Sequence, residues 1–125
     1  MRMITPLEFV EAPVFTRLVA EYISDDGYCE LQLHLARDPE AGEVIPGTGG
    51  FRKLRWDDRR RRRGKRGGLR VVYYYFSDDA QLWFVTIYRK SEVADISPDE
   101  KRALKAAVDR ELGQRRRTRE ARGQR

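Results

Sequence analysis

The sequence predicts an α+β domain: an antiparallel sheet of three or four strands, a helical hairpin before it and a helix after it, in the order β-α-α-β-β-β-α. Three observations point there. Apolar residues recur at helical spacing between Val14 and Leu35. Short runs of alternating or β-branched and aromatic residues follow between Phe51 and Tyr88. A helix-start signature, Ser97-Pro98-Asp99-Glu100, then opens the last segment.

The elements follow in order. Leu7 to Val10 reads as a short first strand. Pro13 suits the first position of a helix, where its missing N–H costs nothing, and Val14, Leu18, Val19 and Tyr22 form the buried stripe. Ser24 is an N-cap for a second helix, with Asp25 and Asp26 at its positive end and Tyr28, Cys29, Leu31 and Leu35 facing inward. Pro39 and Gly42 end it, and residues 42–50 (GEVIPGTGG) read as an irregular loop. Phe51 to Trp56 alternates, with Lys53 and Arg55 on one face and Arg52, Leu54 and Trp56 on the other. Leu69 to Phe76 and Gln81 to Tyr88 complete a meander around a turn at Ser77–Ala80. The last helix runs from the capping box to Gly113, the expected stop. The domain is expected to span 1–113, with 114–125 a basic tail that is disordered alone. Helices packed on one face would leave the other face of the sheet partly open.

Charge is unevenly distributed. The 125 residues carry a net +6, but residues 52–70 alone hold +9 and residues 114–125 hold +5, leaving −8 on the rest. A neutral-to-acidic body with two concentrated cationic regions is a footprint for a polyanion. One cysteine, Cys29, excludes an internal disulfide, and one histidine, His34, excludes histidine-based zinc sites. No apolar run approaches the length of a membrane span and the start is not a signal peptide, so a cytoplasmic protein without cofactor or metal is expected.

The candidate site residues are the strand cations. Lys53 and Arg55 share a face, Arg70 comes from the next strand, and Tyr88, Arg89 and Lys90 end the one after. Like charges brought together cost free energy unless an anion relieves them. Arg52 would crowd Lys53. The loop cations Arg59, Arg60, Arg61, Arg62, Arg63, Lys65 and Arg66 offer salt-dependent attraction to phosphates. Outward aromatics of the strands are candidates for base stacking. Asp57 and Asp58 compensate neighbouring arginines.

The blocks GTGGFRKLRW, GGLRVVYYYF, WFVTIYRKSE and ISPDEKRALKAAV, in this order over about residues 5–112, resemble the RelE/HigB toxins of bacterial type II toxin–antitoxin modules, most closely the HigB branch. The resemblance implies a compact α+β ribonuclease that enters the ribosomal A site and cuts mRNA there without metal. It implies silencing by a co-transcribed antitoxin carrying a helix-turn-helix domain. It carries the catalytic positions onto Lys53, Arg55, Arg70, Tyr88 and Lys90, with Arg89 adjacent to the last. Lys53 is then the candidate base, Arg55 and Arg70 hold the phosphate, and either Tyr88 or Lys90 is the acid; these roles permute. A non-catalytic RNA- or DNA-binding module using the same basic face explains the charge and aromatics equally well.

Overall fold

The computed structural model describes residues 6–59, 68–93 and 95–123. Its order is β1 (Glu8–Glu11), α1 (Pro13–Tyr22), α2 (Asp25–Arg37), β2 (Glu43–Val44), β3 (Arg52–Trp56), β4 (Leu69–Phe76), a single 3-10 turn at Ser77–Asp79, β5 (Gln81–Arg89) and α3 (Pro98–Gly123). By contacts the chain divides into two compact units. One comprises the chain up to Val44 and again Phe51–Asp95; the other comprises Ile45–Gly50 and the chain from Ile96 onward.

The α+β class holds, but the sheet is five-stranded and mixed, in the order β1-β5-β4-β3-β2. Two corrections to the expected antiparallel meander account for this. β1 lies parallel to β5, Phe9 opposite Leu82 and Glu11 opposite Phe84. The two are not directly connected: the chain passes from β1 through two helices and three successively antiparallel strands before β5, which runs in the direction of β1. Phe9 and Phe15 both stack on Phe84, with ring centroids 5.6 and 4.6 Å away, which ties β1 and α1 to that edge. Second, the stretch read as an irregular loop contributes a two-residue strand, β2, paired antiparallel to β3.

What makes this pairing possible is Gly42. A Cβ there would stand 2.9 Å from Tyr73 Cε1 and 3.1 Å from the Lys53 backbone. The Tyr73 hydroxyl accepts from Gly42 N–H at 2.9 Å and donates to Pro39 O at 2.8 Å. The segment after α2 is thereby pinned against β4, and β2 starts one residue later.

The core of the first unit lies between the sheet and α1–α2: Phe15, Leu31, Leu35, Leu54, Leu69, Val71, Tyr73, Leu82, Phe84 and Ile87 are all buried. Both helices begin as the sequence implies, although Cys29, expected in the buried stripe of α2, is exposed. Pro13 is the first helical residue, and Ser24 Oγ accepts from Gly27 N–H at 3.1 Å. Glu11 joins the layers, accepting from Thr16 Oγ1 at 2.7 Å and from the Tyr28 hydroxyl at 2.6 Å. Burial and this carboxylate together hold the Tyr28 phenol well above its ordinary range.

On the opposite face Phe51, Tyr74, Phe76 and Trp83 form a chain of ring contacts. Phe51 and Phe76 are buried, and these outward aromatics pack on one another.

In the second unit the capping box forms reciprocally: Glu100 N–H donates to Ser97 Oγ at 3.1 Å and Ser97 N–H to Glu100 Oε1 at 3.0 Å. The stop at Gly113 is absent. α3 continues to Gly123, so residues 114–123, expected to be disordered, are helical. A mid-helix glycine costs only ~1 kcal/mol. The following Arg, Gln and Glu are good helix formers, and Arg115 Nε bridges to Glu111 one turn back at 2.9 Å.

Candidate active site

The five residues expected to be catalytic line one depression of about 310 Å³: Lys53 and Arg55 from β3, Arg70 from β4, Tyr88 from β5 and Lys90 just after it. Val93 and Asp95 complete its wall. Strand register explains the convergence. Arg55 lies opposite Arg70 across the β3–β4 ladder, and Arg70 lies opposite Tyr88 across β4–β5. The three form a row across three strands, about 10 Å from end to end at the usual strand spacing. Lys53 stands two residues along β3 on the same face, ~7 Å from Arg55.

A bulge aims the row. β4 and β5 pair regularly from Leu69–Arg89 to Val72–Thr86; Tyr73 then faces Phe84, leaving Val85 unmatched. Leu82 and Phe84 point into the core before the bulge, and Ile87 does so after it. The bulge therefore reverses the phase of the strand and puts Tyr88 beside Arg70, with Arg89 on the helix side. Unbroken alternation from Phe84 would exchange the two.

The site's charges differ in how firmly they are held. Arg70 is only 6% exposed, and its Nη1 donates to Leu69 O at 3.1 Å. Tyr88 is 8% exposed. Lys53 Nζ pairs with Asp95 Oδ1 at 3.3 Å. Its cross-strand neighbour in β2 is Glu43. Asp95 was not legible as a site residue, because it comes from an irregular segment with no motif. Lys90 is exposed, and its backbone N–H donates to Gly68 O at 3.0 Å.

Two cations expected at the RNA face are not part of this depression. Arg52 points to the helix side, as its alternation implies, and donates to Glu40 O, Gly42 O and the Glu40 carboxylate. It does not crowd Lys53. Arg89 Nε donates to Asp58 Oδ2 at 2.7 Å, its guanidinium lies over the Tyr22 ring, and Asp58 is buried. That hydrogen bond raises the Arg89 pKa above its ordinary value. Asp58 thus compensates an arginine distant in sequence.

Arg59 pairs with Glu30 of α2 at 2.9 Å. Arg60, Arg61, Arg62, Arg63, Lys65 and Arg66 lie outside the described residues. The two ends of their loop, Asp58 and Gly68, are both fastened to the end of β5. His34 packs against Trp56 on the helix side, away from the row. Among the described residues no group of three or more His, Cys, Asp or Glu is placed to hold a metal ion. No helix among them is long and apolar enough to cross a membrane.

Chemically, the depression offers cationic donors from two strands and from the residue that follows a third, with a phenol and a carboxylate. That set can bind a phosphodiester through its non-bridging oxygens and exchange protons at its bridging ones.

No model of a known protein family matches the chain. Among solved structures it is similar to that of a mutant of the E. coli toxin RelE in the free state, at 14% identity and a TM-score of 0.44, covering 69% of this chain and 85% of that one.

Proposed function

We propose that this chain is an endoribonuclease toxin of the RelE/HigB kind that cuts mRNA in the ribosomal A site and is silenced by a cognate helix-turn-helix antitoxin. The observation that carries the reading is the Arg55–Arg70–Tyr88 row with Lys53 and Lys90 around the same depression. The sequence blocks that resemble those toxins supply the biological setting.

The reaction is transfer of the phosphate within the RNA. The 2′-oxygen attacks the adjacent phosphorus, a 2′-O–P bond forms and the P–O5′ bond breaks, giving a cyclic phosphate and a free 5′-hydroxyl. Lys53, released from Asp95 and in its neutral amine form, takes the proton from the 2′-hydroxyl. Arg55 and Arg70 bind the two non-bridging oxygens, whose charge grows in the phosphorane; one well-placed donor of this sort is worth ~10²–10³-fold in rate. Tyr88 or Lys90, at the other end of the row, gives a proton to the leaving 5′-oxygen, a role worth ~10²–10⁴-fold. Held in line across a row of this length, the ribose-phosphate link needs no metal.

Primer extension on cellular mRNA after induction tests the reading. Expected are new 5′ ends within coding regions that disappear with Arg70→Ala. Intact messages under growth arrest, or cuts that persist in the variant, would overturn it; intact messages with RNA still bound would leave the passive binding module as the function.

A further inference from the structure

The extension of α3 past Gly113 carries none of the residues used in the reaction proposed above. Residues 114–123 contain five arginines and one glutamate, and no lysine or large apolar residue. The apolar line of the helix, Leu104, Val108 and Leu112, ends there, and arginine continues it. Arg115, Arg119 and Arg122 recur at i, i+4 and i+7, with Arg116 three residues before Arg119, so one side of the rod is cationic for about 10 Å. Arg116, Arg117, Arg119 and Arg122 are exposed.

The ordinary purposes of such a segment cover little of this. Favourable interaction with the helix dipole reaches only the last turn, which holds Arg122. Like charges one turn apart oppose helix formation, and Gly113 and Thr118 are weak helix formers. A membrane-surface helix needs an apolar face opposite its charges, and a protein interface needs an apolar or aromatic centre. The segment has neither. Its guanidinium groups are suited to bidentate phosphate contacts, and their spacing on a stiff helix suits a rigid array of phosphates better than a flexible strand.

We propose that the arginine face of α3 is a second RNA-binding site that grips the backbone of double-stranded RNA without reading sequence. The choice of RNA over DNA rests on the function proposed above; the binding itself requires no cleavage.

The test uses the full chain carrying Arg70→Ala, so that cutting is a separate measurement. Fluorescence anisotropy with labelled duplex RNA, duplex DNA and single-stranded RNA is followed across a salt series. Changing Arg116, Arg119 and Arg122 together to glutamine is expected to weaken duplex RNA binding ~10-fold or more and to flatten its salt dependence. Changing all three to lysine is expected to retain most of the affinity. Circular dichroism reports whether the helix persists. Unchanged duplex affinity in the glutamine variant would overturn the proposal. So would an equal loss in the lysine variant, an equal loss on single strands, or tighter binding of duplex DNA than of duplex RNA. Absence of cleavage by the chain with its native Arg70, with duplex binding intact, would count against the ribonuclease reading alone.

Discussion

Arg55 and Arg70 are direct cross-strand partners, two cations facing each other in the β3–β4 register. Like charges so placed destabilise a sheet by ~0.2–1 kcal/mol, and Arg70 is buried as well. A fold under selection for stability alone would not keep this pair. Replacing Arg70 with methionine, of similar length and no charge, is expected to leave the melting temperature unchanged or raise it. Single-turnover RNA cleavage should fall by ~10²–10³-fold. A stable variant that still cuts at the native rate would remove Arg70 from the reaction.

Asp95 places a carboxylate inside a depression otherwise suited to anions, against Lys53 at 3.3 Å. The aspartate side chain is 87% exposed, so the pair is worth at most ~1 kcal/mol. Substrate phosphate must compete with it. Asp95→Asn is expected to tighten RNA binding up to ~5-fold at low salt, with the gain shrinking as salt rises. Weaker binding would instead make Asp95 a ligand-holding residue.

The Asp58–Arg89 pair behaves differently, because Asp58 is buried. Asp58→Ala would leave the Arg89 guanidinium without its main partner. Breaking a buried pair from one side typically costs ~3–5 kcal/mol. Urea unfolding should show that loss, together with lower cleavage in proportion to the unfolded fraction. Arg89→Met, which removes the other partner, is likewise expected to lower stability while leaving the affinity of the remaining folded protein for RNA largely unchanged. A selective loss of RNA affinity at full stability would return Arg89 to the binding face.

The contrast between Arg70 and Arg89 shows how far the sequence could be read. Local chemistry was legible: Pro13, Ser24 and the Ser97–Glu100 box begin their helices as their types require. The β3 faces followed from alternation. The side on which Tyr88 and Arg89 lie did not, because it depends on the bulge at Val85, and no residue type announces it. The parallel pairing of β1 was hidden for a related reason. It is decided by aromatic packing on Phe84, a contact between residues more than sixty positions apart. Asp95 and the Asp58–Arg89 pair are equally non-local. The helix beyond Gly113 was missed because a glycine with no apolar stripe after it reads as a terminus.

Tyr73 fastens the segment after α2 through two hydrogen bonds. Tyr73→Phe leaves the Gly42 N–H and Pro39 C=O without that partner, which should cost ~1–3 kcal/mol. Burial, the largest influence, raises the Tyr73 pKa in the folded state. The neutral phenol is therefore favoured by folding. Its contribution is full below the ordinary value of 10.0 and is lost as pH rises through the higher folded value. The stability difference between wild type and Tyr73→Phe should narrow over that alkaline range, measured by thermal melts; a constant difference would show that the hydroxyl does not titrate with folding.

Glu100 offers the opposite sign. Its carboxylate accepts the Ser97 backbone N–H, and this bond, with that to the Ser97 side chain, holds its pKa below the ordinary 4.5. A depressed folded value means that the carboxylate form is favoured by folding. The contribution is present above the ordinary value and is lost as pH falls through the lower one. Glu100→Gln keeps an acceptor for the Ser97 N–H but cannot titrate and carries no charge toward the positive end of α3. Wild type should therefore be the more stable at neutral pH. The gap should close in acid, when the native carboxylate has become neutral too. Helical circular dichroism followed through thermal melts from neutral to acid pH would measure it. A gap that persists below the depressed value would mean that the capping box acts through shape alone, and a wild type no more stable than the variant at neutral pH would mean that the charge adds nothing.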